Sequence, residues 1–341
     1  MKRIFLDSLL LAAAVFSFAA CNQDTLGEPE VCGNKLSFSP HIVAIDAGTE
    51  TKATQINTSG QVQDLTNYIN EVSSFNVIGY NSDATRFIPS TGEETVTYNN
   101  SNWNLTSTPP TWLDNDQKTF YAYAKMPAGA TVSCTSANHT FTYPSLPKDA
   151  SNQLDALLGY YKGIGDTNND GKSDGVANVQ FVHPLTAVVF EIDTLSIAYQ
   201  TVTQIDSIAI SGVYSSGTAK VTYQYDSTQT VIPSYSWTRS GSMKVVQTVG
   251  GPLPSSGSRV GQAFIIFPQD LSANPVDVDI YYSATTKAAT SNVLHTTLDS
   301  GKWREGFTNI YGIGYNGDIL YIETPVTVNP VTDAGEYPLY W

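Results

Sequence analysis

The clearest ligand spacing in the chain lies between Asp166 and Gly175. Asp166-Thr167-Asn168-Asn169-Asp170-Gly171-Lys172-Ser173-Asp174 sets side-chain oxygens at alternate positions of a loop, with a glycine at the sixth. A hard dication such as calcium takes roughly six to eight oxygens, and alternate side chains of a tight loop converge on one point. The seventh position of such a loop contributes a main-chain carbonyl, here that of Lys172, and the bidentate glutamate expected at the twelfth is replaced by Ala177. The spacing therefore predicts a weak or structural calcium site built from Asp166, Asn168, Asp170, Lys172 and Asp174. The same Asn/Asp/Gly content also suits a turn-rich loop between domains with no ion, because those residues favour turns on their own.

Catalytic chemistry finds no comparable constellation. His41, His139, His183 and His295 are scattered through strand-like contexts, and no two sit at metal-ligand spacing. His183 lies in an apolar run and reads as a hydrogen-bonded core residue. Gly163-Ile164-Gly165 lacks the third glycine and the helix of a phosphate-binding loop, and no Gly-x-Ser-x-Gly is present. The sequence predicts no enzyme.

A covalent modification is written more plainly at the start. Met1-Lys2-Arg3 precedes an apolar run from Leu9 to Phe16, then Phe18-Ala19-Ala20-Cys21. A basic start, a short apolar stretch and small residues before the break are the parts of a secretory signal. Cys21 directly after Ala19-Ala20 resembles a bacterial lipobox, with Phe18 where leucine is usual. Cleavage between Ala20 and Cys21 would leave an acylated Cys21 as the new N-terminus, and more than one acyl chain holds a protein stably on a membrane. Residues 1–20 are then the signal peptide, 21–35 a lipidated polar tether, and outer-membrane lipid the partner of Cys21. Beyond Cys21 the chain has two cysteines, Cys32 and Cys134. In an oxidising compartment they form one disulfide or remain two buried thiols.

The elements that position these residues are strands. Removal of the signal leaves about 320 residues, a length for two ordinary domains. Charged residues make up 14% of the chain, the 341 residues include 20 tyrosines, and the net charge is −14. β-branched and aromatic residues suit pleated surfaces, and the acidic balance excludes nucleic acid as a partner. Short alternating runs recur between turn residues: Lys35 to Ser39, Val72 to Tyr80, Thr95 to Tyr98, Thr119 to Ala124, Thr140 to Tyr143, then Val179 to Ile192, Ile205 to Val213, Thr218 to Tyr223, Ala263 to Phe267, Val276 to Tyr281 and Asn309 to Ile313. One short helix is expected around Ser151 to Tyr161, where good helix formers run without proline. No fixed repeat is visible. The pattern predicts an all-β chain with one β-sandwich over 36–178 and a second over 179–341.

Five segments together resemble the fimbrillin family of lipoproteins from Gram-negative anaerobes. They are Phe75-Asn76-Val77-Ile78-Gly79-Tyr80, Lys118 to Tyr123, Phe181-Val182-His183-Pro184-Leu185-Thr186-Ala187-Val188-Val189-Phe190, Phe264 to Gln269, and Gly301-Lys302-Trp303-Arg304-Glu305-Gly306. Their order and spacing cover most of the mature chain. The resemblance implies two tandem transthyretin-like β-sandwich domains and a role as a structural, adhesive subunit of fimbriae on the outer membrane. It implies other fimbrial subunits as partners in a head-to-tail polymer, and a host or microbial surface ligand that the sequence does not identify.

In the shaft subunits of that family a trypsin-like protease removes the first strand, and a neighbour's strand fills the groove by β-augmentation. Carried onto this chain, Leu36, Phe38 and Ile42, with Val43 and Ile45 beyond, supply the apolar side of a removable first strand. Glu50-Thr51-Lys52-Ala53-Thr54 resembles the cleavage point, with Lys52 where arginine is usual; the alternative is an ordinary surface lysine. The Pro-punctuated segment from Thr324 to Trp341 suits a donor strand or the last edge strand of its own domain. A Cys32–Cys134 disulfide would tie the first strand down, so either that bond is absent or the chain is an anchor, tip or accessory subunit. The competing function is a monomeric surface lipoprotein that stacks glycans on Trp103, Trp112 or Trp237.

Overall fold

The alternation of apolar and polar side chains does become strand: in the computed structural model the chain is nearly all β, with one 3-10 turn at Ala150–Asn152 among the described residues. The structure describes residues 33–42, 73–99, 102–168, 170–192, 202–254, 258–284, 292–316, 319–322 and 327–330. The expected helix at 151–161 is replaced beyond Asn152 by the strand Leu157–Gly163, hydrogen-bonded between Lys118–Ala124 and Gln180–Val182. Tertiary packing overrides local propensity there. Leu157 and Leu158 are both fully buried, on opposite faces of the sheet, which a strand achieves and a short amphipathic helix does not.

The N-terminal core is wrapped by a ten-stranded sheet. Its order runs Val176–Ala177, Ser37–Phe38, Asn102–Leu105, Glu94–Asn99, Ser74–Asn81, Lys118–Ala124, Leu157–Gly163, Gln180–Val182, His41–Ile42, with Arg86–Ile88 paired to Ser74–Asn81. The order starts and finishes on the same two stretches of chain, 176–182 and 37–42, so the sheet closes on itself. Phe75, Val77, Val96, Trp103, Phe120 and Phe181 point inward. Gly159 permits a close approach, since a Cβ there would lie 2.8 Å from Val179 Cγ1.

A second, larger core is enclosed mainly by three further sheets, with Trp303 of the short Gln269–Asp270/Lys302–Trp303 pair packed into it. Val202–Val213 and Val276–Ala284 are the centre of one, flanked by Met243–Pro252 and Asn292–Leu298. Thr186–Ile192 runs parallel to Phe307–Asn316 in another, and Asn309, fully buried, ties the pair by donating its side chain to Thr186 Oγ1 and the Ala187 carbonyl. The third joins the hairpin Thr131–Cys134 and His139–Tyr143 to the long hairpin Ser216–Tyr225 and Val231–Ser240. Pairing thus crosses the expected division at 178/179 in both directions. Phe141, Tyr143 and Leu158 pack in the second core, while Val179 and Phe181 pack in the first.

Tyrosines seal the seam between the cores. Ile78, Tyr80, Tyr121 and Tyr160 on the outer face of the ten-stranded sheet pack beneath Val231 and Tyr223 of the long hairpin. Tyr160 and Tyr223 stack at 4.5 Å with their planes 7° apart, and the Tyr223 hydroxyl meets His139 Nδ1 at 2.5 Å. Complete burial pushes the His139 imidazole down to about 3, so it is neutral at ordinary pH. Gln180 spans the seam with both ends of its amide: Nε2 donates to Gln229 O (2.7 Å) and Oε1 accepts from Val231 N (2.8 Å).

Candidate functional site: the seat of the first strand

Residues 33–42 occupy a slot whose walls come from distant parts of the chain. Along it burial alternates, with Leu36, Phe38, Pro40 and Ile42 inward and Ser37, Ser39 and His41 turned away. Leu36, Phe38 and Ile42 are only 3%, 5% and 1% exposed, so their side chains lie in the core. Phe38 sits edge-on between the rings of Phe75 (5.7 Å) and Phe120 (5.6 Å). Pro40 lies on the same inward face at the next period-two position.

One wall is a parallel rail. Ser37, Ser39 and His41 donate their amides in turn to the carbonyls of Gly175 (2.8 Å), Ala177 (3.0 Å) and Val179 (2.9 Å). The other wall is antiparallel and broken: Gly33–Lys35 pairs with Thr111–Leu113, Leu36 N donates to Pro110 O at 3.0 Å, and Phe38 pairs with Trp103. The first strand is thus the single link, among the described residues, between the Trp103 edge and the 176–182 edge of the closed sheet. Burial lowers the pKa of His41, opposed in part by its hydrogen bond to the Ser39 backbone.

The walls themselves are pinned. Trp112, fully buried, packs its ring against Phe120 and Tyr161 and donates Nε1 to Asp116 O at 2.6 Å. Lys118, almost wholly buried, is held by Asn81 Oδ1 (2.6 Å) and by an ion pair with Asp116, with its ammonium 4.2 Å from the centre of the Phe87 ring. Trp103 is likewise in the core, at 6% exposure. Two of the three tryptophans expected as a glycan platform are therefore structural, and the third, Trp237, is half-buried against Phe141 and Phe267.

The loop expected to hold calcium is ordered by its own backbone. Asp166 accepts from Asn168 N (3.2 Å) and Gly171 N (2.8 Å), Asn168 Oδ1 from Asp170 N (3.0 Å), and Asp170 from Lys172 N (2.8 Å). Asp174 accepts from the amide and hydroxyl of Thr167, which lowers its pKa. Gly171 takes a φ of +85°, the sharp turn its position requires. Among the described residues no group of three or more His, Cys, Asp or Glu side chains is arranged to hold a metal ion.

Other expected residues fall elsewhere. His183 is buried and meets Asp155 Oδ2 through Nδ1 at 2.6 Å, the core hydrogen bond its context predicts. Cys134 carries a free thiol that burial pushes up to about 12, beneath the tyrosine seam. Its expected partner Cys32 lies outside the described residues, as do Ala20, Cys21, Val43, Ile45 and Lys52. At the far end of the chain Thr327–Pro330 pairs antiparallel with Phe307 to Ile310 of its own second half.

Comparison with known proteins gives the fold a context. A family model described as fimbrillin-like matches residues 51–330. A candidate cell adhesion protein from Bacteroides uniformis, known from its crystal structure, aligns with a TM-score of 0.50 at 13% identity, over 89% of this chain and 100% of that one. A second, from Bacteroides ovatus, gives 0.51 at 10% identity, over 88% and 98%. The tip fimbrial protein Mfa3 from Porphyromonas gingivalis aligns at 0.40 and 10% identity, over 76% and 94%. Among curated proteins no relative matches.

Proposed function

Since this chain belongs to the fimbrillin-like family, a family of structural subunits and not of enzymes, we propose that it is a fimbrial subunit that polymerises by exchanging its first strand. The carrying observation is that, among the described residues, only 33–42 bridge the two edges of the ten-stranded sheet. Their removal uncovers an apolar slot with an unpaired edge on either side, a state that recruits another strand. Leu36, Phe38 and Ile42 each hide apolar surface worth roughly 1.5–3 kcal/mol, so an empty slot is strongly unfavourable.

A donor of matching pattern lies near the other end of the same sequence. Leu36-Ser37-Phe38-Ser39-Pro40 and Val326-Thr327-Val328-Asn329-Pro330 share apolar, hydroxyl, apolar, small polar, proline in that order. Pairing of Thr327–Pro330 with the chain's own Phe307 to Ile310 would have to be given up in the exchange. Repetition of that step is heterologous and open-ended, giving a filament.

In this reading Lys52 is the processing point, and Cys21, freed after Ala20, anchors the precursor in the outer membrane by its lipid. The tandem transthyretin-like arrangement is part of the same reading, supported by the two cores. Calcium remains a subordinate element, favoured by the Asp166 bond to Gly171 N, with the Asp166, Asn168, Asp170 and Asp174 side chains and the Lys172 carbonyl as its ligands. Burial of Trp103 and Trp112 argues against the glycan-binding alternative.

Limited trypsin digestion of the mature protein, followed by intact mass and size-exclusion chromatography, tests the proposal. Cleavage after Lys52 with growth of SDS-resistant oligomers is expected. A cleaved chain that sheds 33–42 and stays monomeric would overturn it.

A further inference from the structure

At its N-terminal end the first strand is fastened by side chains as well as by sheet pairing. Asn34 Nδ2 donates to Ser173 O at 2.6 Å, and Ser173 N in turn donates to Asp114 Oδ1 at 3.1 Å. Ser173 is 1% exposed, and its hydroxyl accepts from Gly175 N at 3.1 Å, which fixes the turn that delivers the Gly175 carbonyl to Ser37. Gly175 has a φ of +74°, and a Cβ there would lie 2.5 Å from the Lys35 carbonyl oxygen, so the turn is pressed directly against the strand. Asp114 follows Thr111–Leu113, the strand on the opposite wall that pairs with Gly33–Lys35. Three pieces of chain that meet nowhere in sequence are therefore tied together at one point, across the mouth of the slot.

We propose that Asn34, Ser173 and Asp114 form a latch that positions the first strand and sets how readily it leaves its slot. The latch rests on the strand-exchange reading for its biological purpose, but not for its physical effect. Sheet pairing along 37–42 is short on both sides, with two residues in register on each part of the rail and one opposite Trp103. A few polar contacts at the end of so short a ladder control whether it frays. An incoming strand that lacks an amide at the position of Asn34 occupies the slot without engaging the latch, so exchange turns a locked closure into an unlocked one.

Hydrogen exchange on the intact mature protein reads the latch directly. Asn34→Leu removes the donor at similar volume and is expected to speed exchange of the Leu36 and Ser37 amides about tenfold, the weight of one partly buried hydrogen bond. Asp114→Leu should do the same through Ser173, whereas Asp114→Asn keeps the acceptor and stays near the parent. Lys35→Met, which removes only the exposed bond from Nζ to Thr111 Oγ1, serves as the control and leaves exchange unchanged. Unchanged exchange over 33–42 in both leucine variants overturns the latch. So does an equal rise over 202–213 and 276–284, which would mean general destabilisation. If the variants exchange faster yet no trimmed protein polymerises, the latch stands and the subunit reading fails.

Discussion

The first strand and the long hairpin of the second half are both β-structure laid on a sheet, yet they are held by opposite means. Ser216–Tyr225 and Val231–Ser240 stay in unbroken register over ten residue pairs, from Ser216 opposite Ser240 to Tyr225 opposite Val231. Its tip is further locked by the Tyr160–Tyr223 stack and the two-ended Gln180 bridge. The first strand has deep side chains but a ladder in pieces: three residues, then two, then two, each on a different partner. Affinity in the hairpin is spread along a continuous backbone ladder, whereas in the first strand it is concentrated in a few pockets. A strand of the second kind can be replaced by any segment that fills the same pockets, because little of its binding depends on a long register. Under the strand-exchange proposal, the difference separates a permanent joint from an exchangeable one.

The sharpest way to break that comparison is to empty a pocket. Phe38→Ala removes a ring packed on Phe75 and Phe120 and should cost about 3–5 kcal/mol. Exchange protection is expected to fall first over 33–42, 74–81 and 118–124, with 202–213 and 276–284 still protected. Simultaneous loss in both regions would make the two cores one cooperative unit and end the distinction.

Acid probes the two regions through their histidines. His139 and His41 both have pKa values lowered by burial, so below about 6.5 the unfolded chain binds protons that the folded chain refuses. Stability therefore falls as pH drops from 6.5 towards the folded pKa values. For His139, at about 3 when folded, the loss approaches about 3 kcal/mol by pH 4. Glu191 and Glu305, whose pKa values are raised by burial, act in the opposite sense above their ordinary range and shallow the slope. Denaturant midpoints at pH 7, 5.5 and 4 should decline, and less steeply in His139→Gln. A flat profile would mean that the seam opens to water. An early rise in exchange over 33–42 at pH 5.5 would set the His41 end apart as the weaker.

Calcium gives the smallest expected change. Filling a weak site at ten times its dissociation constant adds about 1.4 kcal/mol, a shift of a degree or two in Tm for a chain of this length. The shift should vanish in Asp170→Ala. Its absence in the parent protein would leave the loop to its turns alone and the rail beside the first strand without an ionic support.

Much of this was readable from spacing. Period-two alternation located Leu36 and Phe38, and the runs around Phe75, Phe120 and Phe190, because one buried face imposes that pattern on any strand, whereas Ile42 came from the family resemblance. His183 was legible from an apolar neighbourhood that leaves an imidazole nothing to do but find a partner. The strand at Leu157–Gly163 was not, since Leu154 to Leu158 satisfies a helix locally and only burial on both faces decides otherwise. Whether Trp103 and Trp112 face solvent or pack was left open by the sequence, because an aromatic type says nothing of depth; the structure buries both. The pairing of His139–Tyr143 with Ser216–Tyr225 was invisible, as register between segments so far apart is chosen by packing and leaves no local trace. The latch was hidden for the same reason: Asn34, Asp114 and Ser173 are ordinary polar residues until the fold gathers them.

The rail that seats the first strand is parallel, and its nearest contact, Ser37 to Gly175, joins residues 138 apart in sequence. Parallel neighbours cannot be made by a tight turn, and closing so long a loop is a late and slow event in folding. During synthesis the strand emerges first and its rail follows only after the intervening walls exist. Every copy of the chain therefore begins life with its own plug waiting beside an unfinished socket, and on the strand-exchange proposal that interval is when a foreign strand competes for it.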